Sequence, residues 1–346
     1  MDALQGLKVL ELGQLIAGPF AGKTLADFGA DVIKVEPVDG GDPLRKWRML
    51  RDGTSVWWEV QSRNKRSVAL DLRSPEGQQA VRALAAQADV LIENFKPGTL
   101  EGWGLGWETL HALNPKLIML RISGFGQTGP YRGKPGFGVL GEAMGGLRHL
   151  TGEPGAVPVR VGVSIGDTLA ALHGVIGVLT ALRHREVNGG QGQVVDVALY
   201  ESVFNVMESL LPEYDAFGAV RGPAGSALPG IAPSNAYRCG DGAFVLVAGN
   251  GDVNAVDPNF KIPSTWKFDL GADRTFDFGD FLGDNYIVTA DVIYGQVKDG
   301  VYWYNARLVK TGVTPDGRPI YATRPGFTAG NDIIMTNNHK GESFTA

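Results

Sequence analysis

The chain has 346 residues, with 37 Asp and Glu against 32 Lys and Arg, five His and one Cys. That length suggests about two domains with ample chain to bury a core, and a formal charge of −5 with a pI near 5.6 argues against nucleic-acid binding through a bulk positive field. The lone Cys239 excludes a disulfide framework and any Cys-based zinc site. The opening MDALQGLKVLELG lacks a basic stretch followed by an apolar run, and no run of about 18 apolar residues occurs, so neither a secretory signal nor a transmembrane helix is expected. The expected setting is cytoplasmic.

In chain order, Leu7–Leu12 is a short apolar run ending at Gly13, as in a buried parallel strand. Pro19 to Phe28 has helical spacing and stops at Gly29; Asp31–Glu36 is a second strand closed by Pro37. Ser74-Pro75-Glu76-Gly77 opens a helix with Pro at its first position, running to about Ala88. Asp89–Glu93 and Leu117–Ile122 are further strands, and a longer helix covers about Ile165–Glu186 before Gly189-Gly190. Gln193–Ala198 is another strand, leading into a helix over about Tyr200–Leu211. This alternation predicts an α/β fold with a doubly wound, mostly parallel sheet.

Near residue 252 the composition changes. Residues 1–252 hold 30 Leu and 13 Glu, whereas 253–346 hold three Leu and one Glu but 14 of the 31 aromatics. Leu and Glu favour helices and aromatics favour strands, so the tail is expected to be β-rich. Period-2 patterns run over 266–272 and 286–294, with weaker strands at 301–308 and 332–336. Gly283-Asp284-Asn285, Lys298-Asp299-Gly300 and Pro315-Asp316-Gly317 are the intervening turn signals. Composition therefore sets off a β-rich tail over 253–346.

Candidate chemistry begins at the loop 13–19, which joins the first strand to its helix and faces the ligand crevice of an open α/β sheet. It matches neither GxGxxG nor a P-loop, and Gly18-Pro19 can equally just start a helix. Arg45, Lys46 and Arg48, then Arg63, Lys65 and Arg66, cluster on predicted loops; they suit a diphosphate or form a solvated surface. Asp167 sits near the start of an apolar helix, where the dipole favours an ionised, nucleophilic carboxylate, unless it is simply a first-turn Asp. His173, six residues on, shares no helical face with it. Gly225–Gly230 reads as a closing loop or an ordinary connector. No spaced His and carboxylate motif calls for a metal.

Taken in order, several segments resemble the class III CoA-transferases, the CaiB/BaiF family. They are Leu10–Pro19, Leu25–Pro37, Gly41–Arg45, Asn64–Ser67, Asp71-Leu72, Glu93–Gly98, Ser123–Pro130, Gly166-Asp167, Gly190–Gln193 and Ser234–Tyr237. The resemblance spans about residues 4–252 and implies, within that front part, a large domain over 1–190, with its remainder, a linker and the start of a small domain over 191–252. It implies transfer of coenzyme A between carboxylic acids: Asp167 attacks an acyl-CoA thioester, CoA thiolate leaves and returns to give an aspartyl-CoA thioester, and an acceptor carboxylate collects the CoA. It further implies CoA, as substrate and acyl carrier, along Gln14, Leu15, Ala17, Arg45, Lys65, Leu72, Asn94 and Phe95, with Gly225–Gly230 as a shielding loop. No metal and no nucleic acid enter, and the family forms interlocked homodimers. Ile16 stands where the formyl-CoA branch has Gln, which argues against formate or oxalate. Phe137 stands where the related acyl-CoA racemases have a His base, which argues against racemisation.

The tail departs from this pattern. Val253–Trp266, Asp291–Tyr294, Pro315–Tyr321 and Asn337–Gly341 resemble pieces of a TonB-dependent outer-membrane receptor barrel, implying a junction of two unrelated sequences. A few barrel strands cannot close, and the replaced small domain removes the segment that threads around a partner subunit. Weak or absent turnover is therefore expected, with an outer-membrane receptor fragment as the competing reading.

Overall fold

A computed structural model describes residues 2–231 and 233–248, and beyond them 253–256, 264–276, 286–298, 301–305, 308–315, 318–323, 333–337 and 341–345. The chain divides into two compact units, 1–223 and 224–346; the expected boundaries were 190, from the family resemblance, and 252, from composition.

The first unit is built on six strands: β1 (Lys8–Glu11), β2 (Asp31–Glu36), β3 (Lys65–Ala69), β4 (Val90–Glu93), β5 (Ile118–Ser123) and β6 (Val194–Ala198). All neighbours pair in parallel, in the order β3-β2-β1-β4-β5-β6. This is the doubly wound order with a topological switch between β1 and β4, where open α/β sheets bind ligands. Every residue of β4 and β5 is buried, as expected of central parallel strands covered on both faces.

Successive side chains of these strands enter opposite layers. Val9, Val90, Ile92, Ile118 and Leu120 pack under helices α1 (Ala17–Asp27) and α5 (Ile165–Val187). Leu10, Leu91 and Met119 pack on the other face with α2 (Pro75–Ala85) and α3 (Trp107–Leu113). Ser74 caps α2 by accepting from the Gly77 amide at 3.0 Å, with Pro75 in its first turn. By length and mean hydropathy (1.6) α5 also meets the composition of a membrane span, which the search for an unbroken apolar run did not anticipate. Its Ala170, Ala171, Val175, Val178 and Leu182 are buried in the core beside the sheet.

Three elements differ from expectation. Lys65-Arg66 belongs to edge strand β3 rather than a loop, because its backbone completes the ladder with β2. Residues 138–144 form helix α4 (Gly138–Met144), whose Gly-rich sequence gives little helical signal. The helix expected over 200–211 is two, α6 (Leu199–Phe204) and Leu210–Phe217, with Glu208 between them at φ 53°.

The regular elements described in the second unit are all β-strands. Ser234–Arg238 pairs with Phe244–Ala248, and Ser264–Phe276 pairs antiparallel with Tyr286–Lys298 along its full length. Tyr286–Lys298 also pairs with Gly341–Thr345, and Val301–Asn305 with Ile333–Asn337. The strand expected over 301–308 ends at Asn305, and Leu308–Val313 pairs instead with Pro319–Thr323. Residues 283–285, 299–300 and 316–317 of the turn signals lie outside the described residues, as do 249–252 at the expected junction.

Candidate active site

Two loops meet at the switch crevice, joined by the side chain of Asn94 to the backbone of Gln14. The Gln14 amide donates to Asn94 Oδ1 at 2.7 Å, and Asn94 Nδ2 donates to the Gln14 carbonyl at 2.9 Å. Gly13 and Gly18 are needed for this approach: a Cβ on Gly13 would lie 2.9 Å from Asn94 Oδ1, and one on Gly18 2.9 Å from the Gly13 Cα. Leu15 adopts φ 63°, a conformation rare outside Gly, and its amide is held by the Asp42 carboxylate at 3.1 and 3.2 Å.

Under this loop lies a buried ionic cluster. Lys34, in the middle of β2, donates to the Gly13 carbonyl and pairs with Asp42 at 3.1 Å and Glu11 at 3.5 Å. Lys65 pairs with Glu11 at 2.7 Å and donates to the Pro19 carbonyl at 2.7 Å. Burial pulls the Lys65 ammonium below its usual range against the opposing charge of Glu11. Burial pushes Glu36 up, but Arg45, the Ser67 hydroxyl and the Asp42 amide more than offset it and hold its carboxyl at about 2. Charges sequestered this way fix the loop geometry because separating any pair would strand its partner in the interior.

A cavity of about 510 Å³ opens beside the loop. Asp167, in the first turn of α5, lines it together with Gln14, Leu15, Ala17, Asn94 and Phe95. Asp167 reaches its position over Gly138, the first residue of α4, where any Cβ would overlap Asp167 Oδ2. Burial raises the Asp167 carboxyl to about 6; the charge of Glu142 adds to the rise and that of Arg160 opposes it. The helix dipole was expected to favour ionisation, but desolvation is the larger effect. A carboxylate with a pKa near 6 is still largely ionised at neutral pH and is poorly solvated, which suits a nucleophile. Glu142, buried on α4, accepts from Arg148 Nε at 3.0 Å through Oε2, while its buried Oε1 has no hydrogen-bond partner.

The structure thus gathers six of the residues singled out in the sequence around one cavity. Leu72 lines an adjoining cavity of about 310 Å³ that shares Gln14 and Phe95 with the first. Arg45 and Lys65 lie apart from these residues. Arg45 binds both oxygens of Glu36 at 2.7 and 2.8 Å and stacks on Trp58, and Lys65 is sealed in the ionic cluster. Neither lines either cavity, because each is consumed by a carboxylate on β1 or β2. Gly225 and Gly230 belong to the second unit, both with positive φ. His173 Nδ1 donates to the Leu169 carbonyl at 2.9 Å, its Nε2 meets the Asn205 side-chain amide at 2.9 Å, and it does not line the Asp167 cavity.

Sequence reasoning missed Glu142, Arg160 and the Lys34–Asp42 pair. A lysine in the centre of an apolar strand was a signal for the pair; Glu142 and Arg160 fall in segments without clear periodicity. Among the described residues, no group of three or more His, Cys, Asp or Glu is placed to hold a metal.

Comparison with known proteins gives a consistent picture for the larger part of the chain. The model of CoA-transferase family III matches residues 4–256. Succinyl-CoA–D-citramalate CoA-transferase of Chloroflexus aurantiacus is 56% identical over 250 residues, covering 72% of this chain and 62% of that enzyme. Succinate–glutarate CoA-transferase of Agrobacterium fabrum is 40% identical, covering 71% and 63%. A solved CAIB/BAIF family protein from Brucella suis superimposes with a TM-score of 0.68 at 41% identity, covering 72% of this chain and 67% of that one. The chain spans less than two thirds of the length of these curated relatives.

Proposed function

Since the chain belongs to CoA-transferase family III, we propose that it moves coenzyme A from an acyl-CoA to a free carboxylic acid, with Asp167 as the covalent nucleophile. The carboxylate attacks the thioester carbonyl, the C–S bond breaks, and CoA thiolate leaves an acyl-aspartyl anhydride. Thiolate attack on the aspartyl carbonyl then releases the first acid and leaves an aspartyl-CoA thioester. The acceptor carboxylate attacks that thioester, and the returning thiolate takes the acceptor acyl group, which regenerates Asp167. The observation that carries this reading is the position of Asp167 in the wall of the switch crevice, next to Gln14, Asn94 and Phe95. The adjoining cavity past Leu72 offers room for the remainder of the CoA.

The relatives' names pair succinyl-CoA with citramalate and succinate with glutarate, so dicarboxylic acids are the substrates proposed here. A cytoplasmic setting belongs to the same reading, and so does weak turnover, because residues 257–346 lie beyond the family match. The family's homodimer is carried over as a proposal only. Racemisation is disfavoured: Phe137 lines the cavity, and among the described residues no His does. The receptor reading of the tail rests on sequence pattern alone and is not favoured. Mass spectrometry after incubation with succinyl-CoA tests the proposal. An acyl or CoA adduct on Asp167 is expected, absent from Asp167→Asn; transfer that survives in Asp167→Asn overturns it.

A further inference from the structure

The wall of the Asp167 cavity carries a cation that the ionic cluster does not use. Arg160 is exposed, and its recorded hydrogen bond is a long one, 3.4 Å from Nη2 to the Val163 carbonyl. No carboxylate among the described residues forms an ion pair with it. The cavity's lining is largely apolar elsewhere, with Ile16, Ile122, Phe137, Val139 and Leu199. A guanidinium is a planar fork that binds a carboxylate through two parallel hydrogen bonds, and it gains most where little else competes for it.

Resting on the transferase reading, we propose that Arg160 is a specificity-determining residue that receives the distal carboxylate of a dicarboxylic acyl group while its thioester end faces Asp167. The apolar lining then meets the methylenes between the two ends. Arg160, Ser164 and Asp167 line this cavity from one stretch of chain that runs into the first turn of α5, and the charge of Arg160 opposes the rise in the Asp167 pKa. The acyl end of the cavity is assigned to that stretch. A monocarboxylic acyl group of the same length leaves the guanidinium without its partner, so discrimination arises from one charge-assisted contact rather than from shape.

The test compares succinyl-CoA, butyryl-CoA and free CoA, with dissociation constants measured by calorimetry on the full chain, and uses Arg160→Gln and Arg160→Lys. The first two ligands share a four-carbon chain and differ at its far end. The unsubstituted protein is expected to prefer succinyl-CoA about 10- to 100-fold, as a charged hydrogen-bonded pair allows. Arg160→Gln brings the ratio to about one without weakening butyryl-CoA or CoA, and Arg160→Lys keeps part of the preference. Equal weakening of all three ligands in Arg160→Gln means that the guanidinium holds a phosphate and overturns the inference. A protein that binds the two esters equally overturns it as well, while leaving the transferase reading intact. Failure to bind any CoA compound overturns both.

Discussion

Beneath loop 13–15, the cations Lys34, Lys65 and Arg45 are matched by Glu11, Asp42 and Glu36 and serve the fold. Beside Asp167, Lys96 and Arg160 line an open cavity with no carboxylate paired to them among the described residues. Both groups border the segment that leaves β1, through the Gly13 and Pro19 carbonyls in one case and through Gln14, Leu15 and Ala17 in the other, and both contain lysine and arginine. Partnership separates them: a cation whose charge is already neutralised holds a loop, and one left open is available to an anion that arrives. Arg45 and Lys65, which the family resemblance sets along CoA, belong to the first group, each engaged with a carboxylate of the chain itself.

The comparison breaks most readily at Lys34. Lys34→Met leaves Asp42 buried without its cation and is expected to cost about 3–5 kcal/mol, read as a lower midpoint in urea unfolding of the full chain. A change under about 1 kcal/mol in that midpoint would mean that the cluster does not hold the loop.

A smaller effect is expected at Gly138, where the site and not the fold is at stake. Gly138→Ala forces Asp167 out of its position and should slow adduct formation on Asp167 by about 10- to 100-fold, with an overpacking cost of about 1–3 kcal/mol. Unchanged adduct kinetics would show that the carboxylate does not depend on that gap.

The least effect concerns stability against pH. The Asp167 carboxyl is raised from 3.8 to about 6, so between these values the folded state keeps a proton that the unfolded chain releases. Stability therefore declines as pH rises through about 4 to 6, and the penalty is fully present above it. Asp167→Asn removes the titrating group facing Glu142 and Arg160, and is expected to flatten that decline and to stabilise the fold at pH 7 by about 1–2 kcal/mol after solvent screening. A parallel decline in both proteins, measured by thermal unfolding from pH 4 to 7, would assign it to other groups.

Periodicity located five of the six sheet strands and the long helix bearing Asp167, because buried parallel strands and a helix packed on them leave apolar runs and 3.6-residue spacing in the chain. The missing strand, Lys65–Ala69, lies at the sheet edge, where burial is partial and the pattern is diluted by charge. Helix α4 escaped because its glycines answer to close packing against α5 and α6, through Asp167 and Leu199, and not to helix propensity.

The amino-acid sequence alone thus determined the α/β class and the family resemblance, and through that resemblance it singled out Asp167 as a candidate, since these depend on local spacing and residue type. Only the tertiary structure decided which charges are spoken for. Glu11 and Lys65 meet across 54 positions of sequence, and Asp42 meets the Leu15 amide across 27. A charge's partner is set by such folded proximity, and nothing in its own neighbourhood along the chain announces it.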